Sequence, residues 1–275
     1  MDGLSEFLRE HSQGDLLPWS AQAAAVERFG LSWAQVEMAS LQAGYLPARY
    51  QRNRSVLSVA DQLKLFGSRV AVAGCGGLGG YVLEQLARLG VGTLVAIDPD
   101  VFEDHNLNRQ ILCQVANLGC GKASIAATRV AAINPAITVI SVAGALHRTN
   151  GETLLAGAGA AVDALDSVSS RIALAMVCNK LGIPLVHGAI AGWSGQVATQ
   201  FPGEQTIQHL YENSTEDKGL EQHLGNPAFT PGVVASMESA EVCKILLDRG
   251  STLRGRVLFV DLLHFSFETM TFGKT

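Results

Sequence analysis

A chain of 275 residues with 48% hydrophobic and only 16% charged residues holds enough apolar material for one large buried core, which excludes an intrinsically disordered chain. A net charge of −5 without any long run of like charges excludes an extended nucleic-acid footprint. No apolar run reaches the roughly 18 residues of a membrane span, and the start MDGLSEFLREH carries acids where a secretion signal would carry an apolar core. The five cysteines, an odd number without paired spacing, fit a reducing cytoplasm, and no C-x-x-C is present to suggest a zinc site.

Residues 1–48 read as a small helical appendage. Pro18 opens a helix in which Trp19, Ala23 and Val26 share a face and which Gly30 ends; Ser32 opens a second, with Gln35 completing a capping box, and Gly44 and Pro47 end it. No chemistry is legible there, so a packing lid or a dimer arm is expected. Arg49-Tyr50-Gln51-Arg52-Asn53 opens the next helix, carrying Leu57, Leu63 and Leu65; on spacing alone its arginines face solvent.

Val70–Ala73 is a short apolar run suited to a parallel strand buried on both faces. The turn Gly74-Cys75-Gly76-Gly77-Leu78-Gly79 follows, matching G-x-G-x-x-G through Gly74, Gly76 and Gly79. Such glycines allow a tight turn and bring backbone N–H groups close to phosphate at a helix N-terminus. The helix carries Leu78, Val82, Leu86 and Leu89 on one face and stops at Gly90, and the strand Thr93–Ile97 then delivers Asp98 where a ribose-binding acid is expected. A nucleotide site is therefore expected, with Cys75 small rather than nucleophilic.

Asp100 and the loop Glu103–Gln110, which includes His105, Asn106 and Arg109, come next. A helix from about Gly119 to Ile133 has Lys122 in its first turn, and strands are expected at Ile137–Val142 and Ala160–Val162. Asp166 lies at the C-terminal end of the latter, where open α/β sheets place ligands; it is either a site acid or, with Ser167, only the cap of the helix Val168–Leu181. Strands at Pro184–Val186 and Val197–Phe201, a polar loop over 203–227, a helix with Thr230 as cap and Pro231 as first residue running to Gly250, and closing strands at Arg256–Val260 and Phe265–Thr271 complete the chain. Cys178 and Cys243 read as core. His187 is a structural histidine or a contact for a substrate tail. The fold class is α/β: a Rossmann-like, mostly parallel sheet with helices on both faces, a C-terminal antiparallel extension and the N-terminal helical appendage.

Two nucleotide chemistries compete. A dinucleotide needs one pyrophosphate neutralised, which the glycine turn and helix dipole largely do. A triphosphate attacked at its α-phosphorus gathers further charge and needs arginine, lysine and a magnesium-binding acid at one point. Arg109, Lys122 and Asp166 supply that set, and no second domain with a nicotinamide pocket is visible, so nucleotidyl transfer from ATP outweighs NAD-dependent oxidoreduction.

From about Arg49 to the final strands the chain resembles the ubiquitin-activating (E1-like) adenylyltransferase superfamily, in its bacterial HesA/MoeB/ThiF branch of molybdopterin-synthase and thiazole sulfur-carrier activators. The resemblance rests on RYQRN, GCGGLGG, GVG-TLVAIDPD, NLNRQ, LGCGKA, INP, DALDS with Arg171, PLVHGAIAGWSGQV and PGVVASMESAEVCKIL. It implies an adenylation domain over 49–275, with a nucleotide-binding half at about 66–190 and a carrier-binding and crossover-loop half at about 191–275. It further implies that Gly77 and its neighbours hold ATP, Asp98 the ribose, Asn106, Arg109 and Lys122 the phosphates, and Asp166 magnesium. Arg52 resembles an arginine finger reaching the other subunit of a homodimer. The implied reaction is activation of the C-terminal glycine carboxylate of a small β-grasp, ubiquitin-like sulfur carrier ending in Gly-Gly, as its acyl-adenylate, for molybdenum or tungsten cofactor or thiamin sulfur transfer. A relative activating a carboxylate on modified tRNA is a further alternative. The chain departs from the pattern in lacking C-x-x-C pairs, in having no cysteine over Gln200–Leu224, and in Ser167 and His105 where asparagine and a hydroxyl residue are common.

Overall fold

The computed structural model describes residues 2–214, 217 and 221–272. The chain opens with α1 (Asp2–His11), β1 (Leu16–Leu17), α2 (Trp19–Phe29), α3 (Trp33–Gln42) and β2 (Leu46–Pro47), the two short strands pairing in parallel. The sequence reading left α1 out, and that shifts the face α2 buries. Phe7 and Leu8 of α1 pack on Ala25 and Ala21, so α2 buries Ala21, Gln22 and Ala25 rather than the Trp19–Ala23–Val26 face. Trp19 instead lies half exposed, stacked on Trp33 at 4.3 Å between ring centroids. The capping box of α3 is as expected: Gln35 N–H donates to Ser32 Oγ at 3.2 Å and Ser32 N–H to Gln35 Oε1 at 2.8 Å.

Arg49–Asn53 does not open the next helix. Ala48–Tyr50 form one 3₁₀ turn, and α4 (Val59–Phe66) begins only after Ser58, which with Asp61 makes its own capping box. The chain then alternates: β3 (Arg69–Ala73), α5 (Gly77–Leu89), β4 (Thr93–Ile97), α6 (Lys122–Ile133), β5 (Thr138–Val142), α7 (Gly151–Leu155), β6 (Ala160–Asp163), α8 (Val168–Leu181), β7 (Leu185–Ala191), β8 (Ser194–Gln200), α9 (Thr206–Tyr211), α10 (Glu221–Leu224), α11 (Phe229–Leu247), β9 (Arg256–Asp261) and β10 (Ser266–Thr271).

One eight-stranded sheet has the order β10-β9-β8-β7-β6-β3-β4-β5, parallel from β7 to β5 and antiparallel from β7 to β10. The two-residue period of a strand splits its side chains between two cores. Val70, Val72, Leu94 and Ala96 face the layer of α5, α6 and α11, while Ala71, Ala73, Val95 and Ile97 face that of α7, α8 and α9. Strand order reverses between β3 and β6, the switch point at which open α/β sheets leave a crevice.

Three further details differ from expectation. Residues 203–227 hold two short helices, α9 and α10, and 215, 216 and 218–220 lie outside the described residues. Thr230 does not cap α11, which starts at Phe229; its side chain is buried and donates to the Gly192 carbonyl at 2.8 Å. That helix stops at Leu247, where Asp248 takes the left-handed conformation at φ 52°, three residues before Gly250. Among the described residues no helix is long and apolar enough to cross a membrane.

Candidate active site

A cavity of about 640 Å³ opens at the switch point. Its walls come from the glycine turn after β3, Asp98–Asp100 after β4, the loop around Asn106 and Arg109, Lys122 at the start of α6, Gly144–Leu146 after β5, and Ala164–Arg171 after β6. The structure thus brings Gly74, Gly76, Gly77, Asp98, Asp100, Asn106, Arg109, Lys122 and Asp166 to one cavity. Gly79 and Arg52 do not line it.

The four glycines divide into two kinds. Gly74 has φ +94°, and a Cβ there would strike the Ala164 carbonyl; a Cβ at Gly79 would strike the Gly74 carbonyl. These two are required by the chain's own packing. Gly76 and Gly77 would meet nothing nearer than 3.5 and 3.7 Å. Gly77 is the first residue of the thirteen-residue helix α5 and nothing in the fold forbids a side chain there, so what its missing Cβ leaves clear is the cavity at the start of that helix. The first turn of a helix has N–H groups without helical partners and a positive dipole end, which suits phosphate.

Asp98 is buried at the end of β4. Its Oδ2 accepts the Cys75 N–H at 2.6 Å and its Oδ1 the Asp100 N–H at 2.8 Å. Burial pushes its carboxyl above the ordinary carboxylate range, against these two bonds and the Lys122 charge. Each oxygen keeps a lone pair for a further donor such as a hydroxyl. Cys75 itself is fully buried and its thiol is pushed well up by burial, so only its backbone serves the site.

Lys122 is buried to 8% exposure, and its ammonium donates to Asp100 Oδ2 at 3.0 Å. Two of its three protons are left for a ligand. Arg109 donates to the His105 carbonyl at 3.0 Å and to Asn108 Oδ1 at 2.9 Å, but it has no carboxylate within ion-pair distance among the described residues. Burial lowers its pKa from a value so high that it stays charged. Asn106 spends its carbonyl on the Glu103 N–H at 3.0 Å, fixing the loop that carries Arg109. His105 is exposed and its ring lies 3.3 Å from Glu103. Asp166 is exposed at the cavity, without a hydrogen-bond or ion-pair partner among the described residues. The cap of α8 is Ser167, which accepts the Ser170 N–H at 3.4 Å, so the capping alternative for Asp166 falls away.

Arg52 is exposed on the turn after Tyr50 and lies outside the cavity of its own chain. Its neighbour Arg49 is turned inward, against the solvated reading: it pairs with buried Glu37 at 2.9 Å and lies over the Trp19 ring.

His187 is the structural histidine that the sequence allowed, buried and hydrogen-bonded; what sequence reasoning missed is that it forms one buried group with Asp163 and Arg171 beneath the cavity edge. Asp163 at the end of β6, His187 on β7 and Arg171 on α8 are all buried; Asp163 Oδ2 lies 2.8 Å from His187 Nδ1. Burial pushes the Asp163 carboxyl up, but the Arg171 charge and the His187 bond outweigh it and hold it below the ordinary range. Burial drives the His187 ring below its ordinary value, outweighing Asp163. A neutral ring protonated at Nδ1 donates to Asp163 and accepts at Nε2 from Tyr211 at 3.1 Å or Gln196 at 3.2 Å. Arg171 also donates to the carbonyls of Gly188 and Leu165, the latter next to Asp166. A signal was present: Arg171 shares the 3.6-residue period of Leu174, Ala175 and Cys178, the buried face of α8.

The site fits a triphosphate with its magnesium. Asp166 is an oxygen ligand at the cavity without a partner among the described residues. That suits an ion that takes one carboxylate and otherwise phosphate oxygens and water.

Known proteins agree with this architecture. The SAMP-activating enzyme E1 of Haloferax volcanii is 38% identical over 82% of this chain and 84% of its own length. The sulfur carrier protein adenylyltransferase of Thermus thermophilus is 33% identical over 81% and 86%. A crystal structure of MccB from E. coli superposes with a TM-score of 0.70 over 82% of this chain and 70% of that one, at 21% identity, which speaks for the fold alone. The ThiF family model matches residues 50–275, and with these identities the chain belongs to the ThiF family.

Proposed function

We propose that the protein is an ATP-dependent adenylyltransferase that activates a ubiquitin-like sulfur carrier at its C-terminal carboxylate. The observation that carries this is that Arg109, which no carboxylate answers, and Asp166, which has no partner among the described residues, share one cavity with the glycine turn, the ribose-side acid and Lys122. The names borne by the relatives, an activating enzyme and a sulfur carrier adenylyltransferase, agree with it. A carrier that ends in Gly-Gly, a homodimer, and sulfur delivery to a molybdopterin-type cofactor or thiamin in the cytoplasm extend the reading.

In this reading residues 49–275 form the adenylation unit, 66–190 holding the nucleotide and 191–275 the carrier. The free N–H groups at Gly76 and Gly77 take the phosphates, and Asp98 accepts the ribose hydroxyls. The carrier's terminal carboxylate attacks the α-phosphorus; the new bond joins carboxylate oxygen to phosphorus, and the bond to pyrophosphate breaks. The attacking carboxylate is already ionised, so no general base is needed. Arg109 and Lys122 face the oxygens on which charge gathers, in a half-buried setting where fixed cations act strongly. Asp166 would hold magnesium, which when bound neutralises phosphate charge. Arg52, exposed and outside its own cavity, serves the cavity of the second copy.

The test is ATP–pyrophosphate exchange with a β-grasp carrier. Exchange with the intact Gly-Gly end, and none after removal of those two residues, is expected. Binding of NAD without any carrier-dependent ATP turnover would overturn the reading.

A further inference from the structure

The N-terminal helices lie outside residues 50–275, yet they place a fully buried carboxylate against the segment that presents Arg52. Glu37 on α3 accepts the Tyr50 hydroxyl at Oε1, 2.6 Å, and Arg49 Nη1 at Oε2, 2.9 Å. Arg49 also donates to Gln22 Oε1 on α2 at 2.6 Å and to Asn134 Oδ1, while Asn134 Nδ2 donates to the Tyr50 hydroxyl at 2.7 Å. A contact that only had to bury surface would use apolar side chains, because a buried ion pair must be desolvated and gains little over well-packed hydrophobic groups. A fully connected polar set does something else: it fixes orientation.

What this set fixes is the 3₁₀ turn Ala48–Tyr50. The Asn53 N–H returns to the Tyr50 carbonyl at 2.8 Å, so Arg52 sits in a turn that grows from a pinned residue. Asn134 gives the set a second anchor, since it ends α6, the helix whose first residue is Lys122 of the cavity.

We propose that Glu37 is a positioning residue: through Arg49 and Tyr50 it sets the turn that presents Arg52 to the cavity of a second copy, and the N-terminal helices exist in part to supply it. This rests on the reading of Arg52 given above.

Mixed dimers of full-length variants test it, using exchange with a Gly-Gly-ended β-grasp carrier. Glu37→Ala alone lowers the exchange rate about tenfold to a hundredfold, the cost of an ångström-scale misplacement. Mixed with Asp166→Ala it regains activity, because its own cavity is intact and is served by the sound Arg52 turn of the other chain. Mixed with Arg52→Ala it regains none, because both chains lack the same element. Rescue in that last mixture, a wild-type rate for Glu37→Ala, or no rescue with Asp166→Ala would each overturn the proposal. Absence of rescue between Arg52→Ala and Asp166→Ala would instead overturn the shared-site reading. If Glu37→Ala loses its melting transition, Glu37→Gln, which keeps the shape and an acceptor for Tyr50, carries the same mixtures with the same outcomes.

Discussion

Arg109 and Arg171 both reach the cavity and are held in opposite ways. Arg171 is buried, compensated by Asp163 and engaged by two backbone carbonyls and Tyr211. Arg109 bonds one carbonyl and one amide, and no carboxylate answers its charge among the described residues. A half-buried cation without a counter-charge is a poor contribution to folding, which agrees with the proposed role of Arg109 toward a phosphate. Asp166 stands to Asp163 as Arg109 stands to Arg171: one acid is enclosed and answered, the other open and unanswered. Paired charge belongs to the frame here, and in the proposed reading the charges left unpaired face the ligand.

Substitution of Arg171 should do most to break this contrast. Arg171→Met leaves the Asp163 carboxylate buried and uncompensated, at a cost of about 3–5 kcal/mol; a fall in melting temperature of roughly 10 °C is expected by calorimetry. A melt within a degree or two of wild type would remove the structural assignment. Arg109→Ala should show the reverse profile, exchange lower by about 10²–10³ with a melt shifted by no more than about 2 °C. Near-normal exchange would take Arg109 out of the site.

The glycines sharpen the same division on a smaller scale. Gly79→Ala forces a Cβ onto the Gly74 carbonyl and should destabilise the fold by about 1–3 kcal/mol or more. Gly77→Ala should fold normally and weaken ATP binding, as an equilibrium titration would show. Equal stability losses at both positions would end the distinction.

The smallest effect concerns pH. His187 binds its proton less readily in the folded chain than its ordinary value near 6.5, so the unfolded chain takes up more protons as pH falls below that value. Stability is therefore fully present above about pH 6.5 and lost on acidification. Asp163, held low, adds a second loss as pH falls below its ordinary 3.8. A melt that falls from pH 7 to 5 by the equivalent of on the order of 1 kcal/mol, and a flatter profile for His187→Gln, are expected. An unchanged profile would show that the ring is not held neutral.

Much of the frame was legible because its signals are local. β4 and α8 run over the residues their apolar patterns predicted, and Gly90 ends α5 at φ 81°. That Arg109, Lys122 and Asp166 share one cavity could be expected because strand ends converge in an open parallel sheet. What stayed hidden depends on partners far along the chain. Tyr50 and Arg49 looked solvated because Glu37 and Asn134, 13 and 84 residues from Tyr50, could not be placed beside them. The shared face of Trp19, Ala23 and Val26 did not show which side of α2 is buried, because α1, which covers the opposite side, went unread. Thr230 had the right neighbour in Pro231 for a helix start, but its side chain answers to Gly192 across the fold.

Gly74 and Ala164 meet backbone to backbone, with no room for a side chain between them. On either side, the Ala164 N–H donates to the Ala73 carbonyl at 2.9 Å and the Gly74 N–H to that of Ile97 at 2.8 Å. The gap between the glycine turn and the Asp166 loop is thus gauged by peptide groups, which every residue type carries alike. Side chains that point away from that contact leave the gauge as it is, whereas one added at Gly79 would strike the Gly74 carbonyl. The residues lining the cavity can vary one by one while the span between the glycine turn and the Asp166 loop stays set by the backbone.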